Sequence, residues 1–234
     1  MLFRQLFDRE TCTYTYLLAD RATRDAVLID SVIEHVDRDL QLLAELGLRL
    51  AYAVETHVHA DHVTGAGTLR ERTGCHTVVS RHAGAACADR QAGEGSLVPF
   101  GRHVLEARET PGHTSTCISW ITEDRAYAFT GDTLLVRGCG RTDFQQGSAP
   151  ALYESVHTKL FTLPEDCRVQ PAHDYQGRTY STIGEEIRFN PRLGGDKSVR
   201  DFVEIMGALN LAQPKKIAIA IAVAANLSCG IAVA

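Results

Sequence analysis

The sequence predicts an α/β fold, a layered sandwich of mixed strands and helices in a single domain over residues 1–234. Three observations lead there. Short apolar runs of strand length alternate with stretches of helical periodicity. A chain of 234 residues that is 44% hydrophobic can bury one sizeable core and needs no second domain. His and Asp recur where apolar runs end, as on a scaffold whose strands fix geometry and whose loops carry chemistry.

Taken in order, Thr13 to Leu18 and Ala26 to Ile29 read as strands. Ser31-Val32-Ile33-Glu34 reads as a capping box, after which Ile33, Val36, Leu40 and Leu43 recur at helical spacing until Gly47 stops the helix. Leu50 to Val54 is the next strand, and a second helix is expected to start near Val63. Val104 to Ala107, Ala126 to Phe129 and a short piece around Val169 supply further strands. A third helix runs from about Ser148 to Pro164, with Leu152, Val156 and Leu160 on one face. Near the end, Ile217 to Ala225 is far shorter than the ~20 residues of a membrane-spanning helix, and its Ile-Ala alternation reads as an edge strand. No repeat or low-complexity linker interrupts the chain.

Composition narrows the function classes. A net charge of -5 without basic runs argues against nucleic acid, which is held through clustered Lys and Arg. Seven cysteines form no Cys-x-x-Cys pair, so reduced thiols are expected. Met1 to Asp8 shows no basic segment leading into an apolar stretch, which gives a cytoplasmic expectation.

The densest chemistry lies in Thr56-His57-Val58-His59-Ala60-Asp61-His62, three imidazoles and a carboxylate directly after an apolar strand. Imidazole with carboxylate suits Zn, Fe or Mn. The same residue types return in Pro111-Gly112-His113-Thr114, Thr130-Gly131-Asp132-Thr133 and Pro171-Ala172-His173-Asp174-Tyr175, each after an apolar stretch. Seven candidate ligands result: His57, His59, Asp61, His62, His113, Asp132 and His173. They suffice for two metal ions bridged by Asp132, hence for a two-metal hydrolase. They equally suffice for one ion, and counting does not separate the two.

This order of motifs, with His-x-His-x-Asp-His as its most specific element, resembles the metallo-β-lactamase superfamily over nearly the whole chain. Thr130-Gly131-Asp132, the run from Arg137-Gly138-Cys139-Gly140-Arg141 to Gln146-Gly147, and Pro171 to Tyr175 look like the persulfide dioxygenase branch. The related glyoxalase II enzymes share Gly-Cys-Gly-Arg but usually carry a longer helical C-terminal region with a basic glutathione-binding motif. Here about sixty residues follow His173, and the last basic ones are Lys215 and Lys216. The resemblance implies an αββα sandwich, two mixed sheets flanked by helices, with the metal at one edge. It implies one Fe(II) per chain in a two-His, one-carboxylate triad of His57, His113 and Asp132, with positions left open for O2 and a sulfur substrate. His59, Asp61, His62 and His173 would then orient the ligands. The implied reaction oxidises glutathione persulfide with O2 and water to sulfite and glutathione, and the alternative is a dinuclear hydrolase of glutathione thioesters. The compartment would be the cytoplasm, or the mitochondrial matrix in a eukaryote, with no membrane partner and with a homodimer left open.

Glutathione is anionic, and Arg137, Arg141 and Arg178 are the cations in the motif-bearing loops, able to grip a carboxylate bidentately. Tyr175 matches a tyrosine that contacts glutathione in related enzymes. Against this, Arg141 could brace Asp143, and Tyr175 could be a core tyrosine. His35, His76, His82, His103 and His157 lie outside the motifs and read as surface or packing residues. Cys139 between two glycines marks a close backbone approach, and Cys229 reads as an inert thiol.

Overall fold

The computed structural model of the chain describes residues 1–86 and 88–209. Two six-stranded sheets carry the molecule. The first runs, in spatial and chain order, through β1 (Leu2–Phe7), β2 (Tyr14–Ala19), β3 (Asp25–Ile29), β4 (Arg49–Val54), β5 (His76–Ser80) and β6 (Arg90–Ala92). Its first three strands form antiparallel hairpins, and β3 to β6 are parallel. Parallel neighbours need crossovers. Helices α1 (Val36–Glu45) and α2 (Ala66–Thr73) supply the first two.

The second sheet is ordered β12 (Ser181–Thr182), β11 (Arg168–Pro171), β10 (Tyr127–Gly131), β9 (Ile118–Thr122), β8 (His103–Glu109) and β7 (Leu97–Phe100). Only β10 and β11 pair in parallel, and the crossover between them contains α3 (Ala149–Ser155). Helices α4 (Ile183–Phe189) and α5 (Val199–Gly207) follow.

Strand β2 shows why the layers form. All six of its residues are buried. Tyr14, Tyr16 and Leu18 point one way, into a layer they share with Phe100, Trp120 and Phe129 of the second sheet. Leu17 and Ala19 point the other way, against Val36, Leu43 and Leu69 of α1 and α2. The two-residue period of a strand thus fills the space between the sheets with one face and the space under the helices with the other. A third cluster packs Leu152, Phe202 and Met206 of α3 and α5 on Ala128 and Val169 of the second sheet. Fully burying such side chains is worth about 1.5–3 kcal/mol each. The result is the αββα sandwich that the resemblance implies.

Several local expectations need correction. Ser31 does not cap a helix: a 3-10 turn over Ile33–His35 follows Val32 without a side-chain cap, and α1 starts only at Val36. The reason is an antiparallel bridge between Val32 and Thr64, reinforced by the Ile33 amide donating to the Val63 carbonyl at 2.9 Å. That bridge holds both segments extended. It also delays the second helix from Val63 to Ala66. A capping box does exist at Ser198 and Asp201, opening α5. Gly47, with φ of 60°, follows α1 as expected. Ser148 caps α3 by accepting from the Ala151 amide, and after Ser155 the helix widens into a π turn over Val156–Leu160. The strand expected at Ile217 to Ala225, and Cys229 and the two lysines with it, lie outside the described residues.

No helix among the described residues is long and apolar enough to cross a membrane. Cys12, Cys75, Cys117, Cys139 and Cys167 are free thiols.

Candidate metal centre

The motif after β4 lies in a loop that the second sheet pins from below. Thr56 accepts from the Ile118 amide at 2.7 Å through its carbonyl, and Trp120 Nε1 donates to the Glu55 carbonyl at 3.1 Å. Asp30, at the end of β3 with φ of 53°, accepts from the Thr56 amide at 2.7 Å and its hydroxyl at 2.8 Å. Val58 is fastened by the Thr116 hydroxyl and by Gln145 Nε2, at 3.1 and 3.0 Å. These bonds fix where His57 and His59 project.

One ligand atom from each of His57, His113 and Asp132 lies within 4.8 Å of the other two, and all three residues are buried. Their remaining polar atoms are occupied. His113 Nδ1 donates to the Arg141 carbonyl at 2.7 Å, which leaves Nε2 facing Asp132 Oδ2 at 3.5 Å. His57 Nδ1 meets the Thr56 hydroxyl at 3.0 Å. Asp132 Oδ1 accepts from His173 Nδ1 at 2.7 Å. Imidazoles tied back at one nitrogen present the other to a metal, so two imidazole nitrogens and one carboxylate oxygen converge free of protein partners. Burial holds His57 neutral, well below the usual histidine range, as a metal ligand requires. Burial alone would raise the Asp132 carboxyl. The charge and N–H of His173, with His113 and His57, outweigh it and keep Asp132 ionised. The donor set fits a divalent transition metal.

Gly140 closes the centre from the pocket side. A Cβ there would stand 2.7 Å from both the Asp132 carbonyl and His113 Nδ1. The close approach expected around Cys139 is thus made by this glycine, whereas Gly138 has only a 4.0 Å neighbour.

His59, Asp61, His62 and His173 form a second group within 4.8 Å, adjoining the first. It is largely bonded to itself. His173 Nε2 meets Asp61 Oδ2 at 2.9 Å and the Thr13 hydroxyl at 3.1 Å, while His62 Nδ1 meets Asp61 at 3.0 Å. Carboxylates stand at both ring nitrogens of His173: burial disfavours its charge, but Asp132 and Asp61 push it well above the usual histidine range. His59 stands between this group and two buried acids, with Nδ1 at 4.0 Å from Asp61 and Nε2 at 3.2 Å from Asp30 and 3.4 Å from Glu55. Against burial, Asp30 and Glu55 push His59 up to about 10. His62 Nε2 and both ring nitrogens of His59 are buried without a hydrogen-bond partner among the described residues.

A pocket of about 610 Å³ opens onto Asp61, His113, Asp132 and His173. Arg137, Arg141, Tyr175 and Arg178 all line it. Each guanidinium is already engaged. Arg137 pairs with Glu186 and, at 2.8 Å, with Glu185; Arg141 is bidentate on Asp143 and lies over the Phe144 ring; Arg178 brings Nε and Nη2 to the one oxygen Oδ2 of Asp174, each at 2.9 Å. Tyr175 is 71% exposed, which excludes the core-tyrosine alternative, and its ring lies parallel to that of His173 at 6.1 Å.

Asp30, Glu55, Thr13 and Arg192 went unnoticed in the sequence. Asp30 ends an apolar run as Asp132 does, and that signal could have found it. The histidines outside the motifs stay outside the centre: His35 pairs with Asp8, His82 with Glu109 and His103 with Glu123, and His157 stacks on Tyr153.

Known proteins resemble this chain in sequence and in fold. The sequence pattern of the Metallo-beta-lactamase superfamily matches residues 12–173. The mitochondrial persulfide dioxygenase ETHE1 of Homo sapiens is 56% identical over 232 residues, 99% of this chain and 89% of that one. The crystal structure of ETHE1 from Myxococcus xanthus superposes with a TM-score of 0.93 at 53% identity, covering 98% of this chain and all of the other. A hydroxyacylglutathione hydrolase of Nitrobacter hamburgensis is 34% identical over 213 residues, 88% of this chain and 78% of that one. With half its residues shared along almost its full length, the chain belongs to the metallo-beta-lactamase superfamily and, within it, to the persulfide dioxygenases.

Proposed function

We propose that the protein is a persulfide dioxygenase that holds one Fe(II) per chain on His57, His113 and Asp132 and oxidises glutathione persulfide with O2 and water to sulfite and glutathione. The observation that carries the reading is the likeness to persulfide dioxygenases, 56% and 53% identical along almost the whole chain, together with the two imidazoles and one carboxylate that His57, His113 and Asp132 bring within reach of one ion. Two imidazoles and one carboxylate leave positions open, the arrangement suited to non-haem iron that must accept both O2 and a substrate.

Bound there, Fe(II) supplies the one-electron chemistry that lets O2 react with a persulfide sulfur. The protein supplies the rest. His173 bonds both Asp132 and Asp61 beside the pocket and so orients them, and the Arg141 carbonyl fixes the tautomer of His113. The pocket has room for a tripeptide carrier, with Arg141 and Tyr175 on its wall. No nucleophilic Ser or Cys is needed: burial pushes the nearby Cys117 and Cys139 thiols up to about 11, away from thiolate.

The competing reading, a dinuclear thioester hydrolase, draws on the second group of His59, Asp61, His62 and His173. Purified protein from iron-replete cells should hold close to one iron and little zinc, consume O2 with glutathione persulfide in an oxygen-electrode cell, and form sulfite. Two zinc ions per chain with anaerobic turnover of a glutathione thioester would establish the hydrolase instead.

A further inference from the structure

The segment from Arg141 to Ser148 is a strap fastened at both ends to the loop that carries His113. The Arg141 carbonyl accepts from His113 Nδ1 at 2.7 Å, and the Ser148 amide donates to the Gly112 carbonyl at 2.8 Å. At Gly147 a Cβ would stand 2.8 Å from the His113 carbonyl, so the strap lies against the backbone of that candidate ligand. Between its ends, Gln145 and Gln146 are both left-handed, with φ of 47° and 60°. Residues with a Cβ avoid that region, and two in succession persist only where the surroundings hold them.

What the turn delivers is the Gln145 amide. Its Nε2 donates to the Val58 carbonyl at 3.0 Å, while the Val58 amide donates to the Thr116 hydroxyl at 3.1 Å. Val58 stands between His57 and His59 in the loop after β4 of the first sheet, whereas Thr116 and Gln145 lie in loops of the second. Both backbone groups of the residue beside His57 are thus held from the opposite sheet. On the other side of His57, the Ile118 amide donates to the Thr56 carbonyl at 2.7 Å. His57 is therefore bracketed. Its ring and that of His113 arrive from different sheets, with centroids 5.0 Å apart and planes at 82°. The Gln145 bond is the part of the bracket that comes from the strap, where the backbone also holds His113 Nδ1. A glutamine amide can be satisfied by water, so a strained turn that spends it on Val58 gives the bond a task beyond closing the loop.

We propose that Gln145 is a positioning residue of the metal centre: by holding Val58 to the strap beside His113, it sets the angle at which His57 and His113 meet one ion. This role rests on the dioxygenase reading for the reaction to be assayed, and on His57, His113 and Asp132 as the ligands.

Two variants remove the amide. Gln145→Gly suits the left-handed backbone and should fold, and Gln145→Met keeps the length of the side chain without its donor. In each, the electron paramagnetic resonance of the nitric oxide adduct of the iron-loaded protein, whose rhombic splitting follows the ligand angles, should shift from that of the wild type. Oxygen-uptake titrations with glutathione persulfide should show kcat lowered about ten- to a hundredfold, the usual cost of losing an outer support of a metal ligand, with KM near wild type. Gln146→Gly relieves the neighbouring turn residue and keeps the amide, so resonance and kcat should stay as they are. Wild-type resonance and kcat in both Gln145 variants overturn the role. So does a lowered Tm with an unshifted resonance, which would make Gln145 a brace of the fold alone. A wild type that takes up no oxygen sinks the dioxygenase reading, while the resonance still decides the role of Gln145.

Discussion

Among single residues, His59 and Asp132 separate support from ligation. Asp132 puts a carboxylate oxygen among the converging donors, whereas His59 Nε2 faces the buried acids Asp30 and Glu55. Asp132→Ala should lose most of the iron. His59→Ala should keep iron yet melt well below wild type, because breaking a buried charge pair costs about 3–5 kcal/mol. Iron analysis paired with a melting curve on both variants decides it, and equal iron loss would make His59 a ligand. The candidate ligands were legible because each is a His or Asp at the end of an apolar run. Asp30 and Glu55 were not, since a lone acid in a sequence looks the same whether it meets water or a buried imidazole. Arg137 and Arg178 illustrate the reverse difficulty. Their motifs pointed to the pocket, which they do line, but only the fold reveals the buried acids that each serves.

For the secondary elements, the strands declared themselves through apolar runs, and the helix starts did not. The Val32–Thr64 bridge overrode a local capping signal at Ser31 and moved two helix starts downstream, an effect of residues 32 apart that no short window contains. A second long-range tie joins the sheets at their far end. In the turn after β2, Asp20 accepts from Arg102 Nε at 3.0 Å, Nη2 at 2.9 Å and its backbone amide at 2.8 Å, and from the Ala22 amide at 2.8 Å. The bonds from Arg102, then that from Ala22, hold the Asp20 carboxyl well below the usual carboxylate range. A carboxyl whose folded value is depressed stabilises the fold above its unfolded value of about 3.9, and that contribution fades as pH falls below it. Asp20→Asn should therefore lower the urea midpoint at pH 7 and flatten its decline below about pH 4. An unchanged acid limb would show that the turn is not carried by this charge.

In the molecule as a whole, the candidate ligands come from both sheets: His57 follows β4, while His113 and Asp132 follow β8 and β10. A metal that binds only the assembled pair stabilises it by mass action, by about 2.7 kcal/mol when free metal is a hundredfold above its dissociation constant. Anaerobic Fe(II) should accordingly raise Tm in a concentration-dependent way, and a Tm indifferent to iron would mean that the centre forms without bridging the sheets. The sandwich itself was legible from alternating periodicities and from the family resemblance, but its outer edge at Ile217 to Ala225 falls outside the described residues. One contact carries a further meaning. Thr13 forms a β-bridge with His173, 160 positions along the chain. Closing so long a loop is among the slowest steps available to a folding chain, since its entropy must be lost before its contacts form. On that ground the Thr13–His173 contact is expected to close after the hairpins of each sheet, and a cation that needs the closed site should bind after the folding transition state. Iron should then act as a lock on escape, slowing the unfolding arm of the chevron and leaving the refolding arm almost untouched, and an equal shift of both arms would place its binding before the transition state.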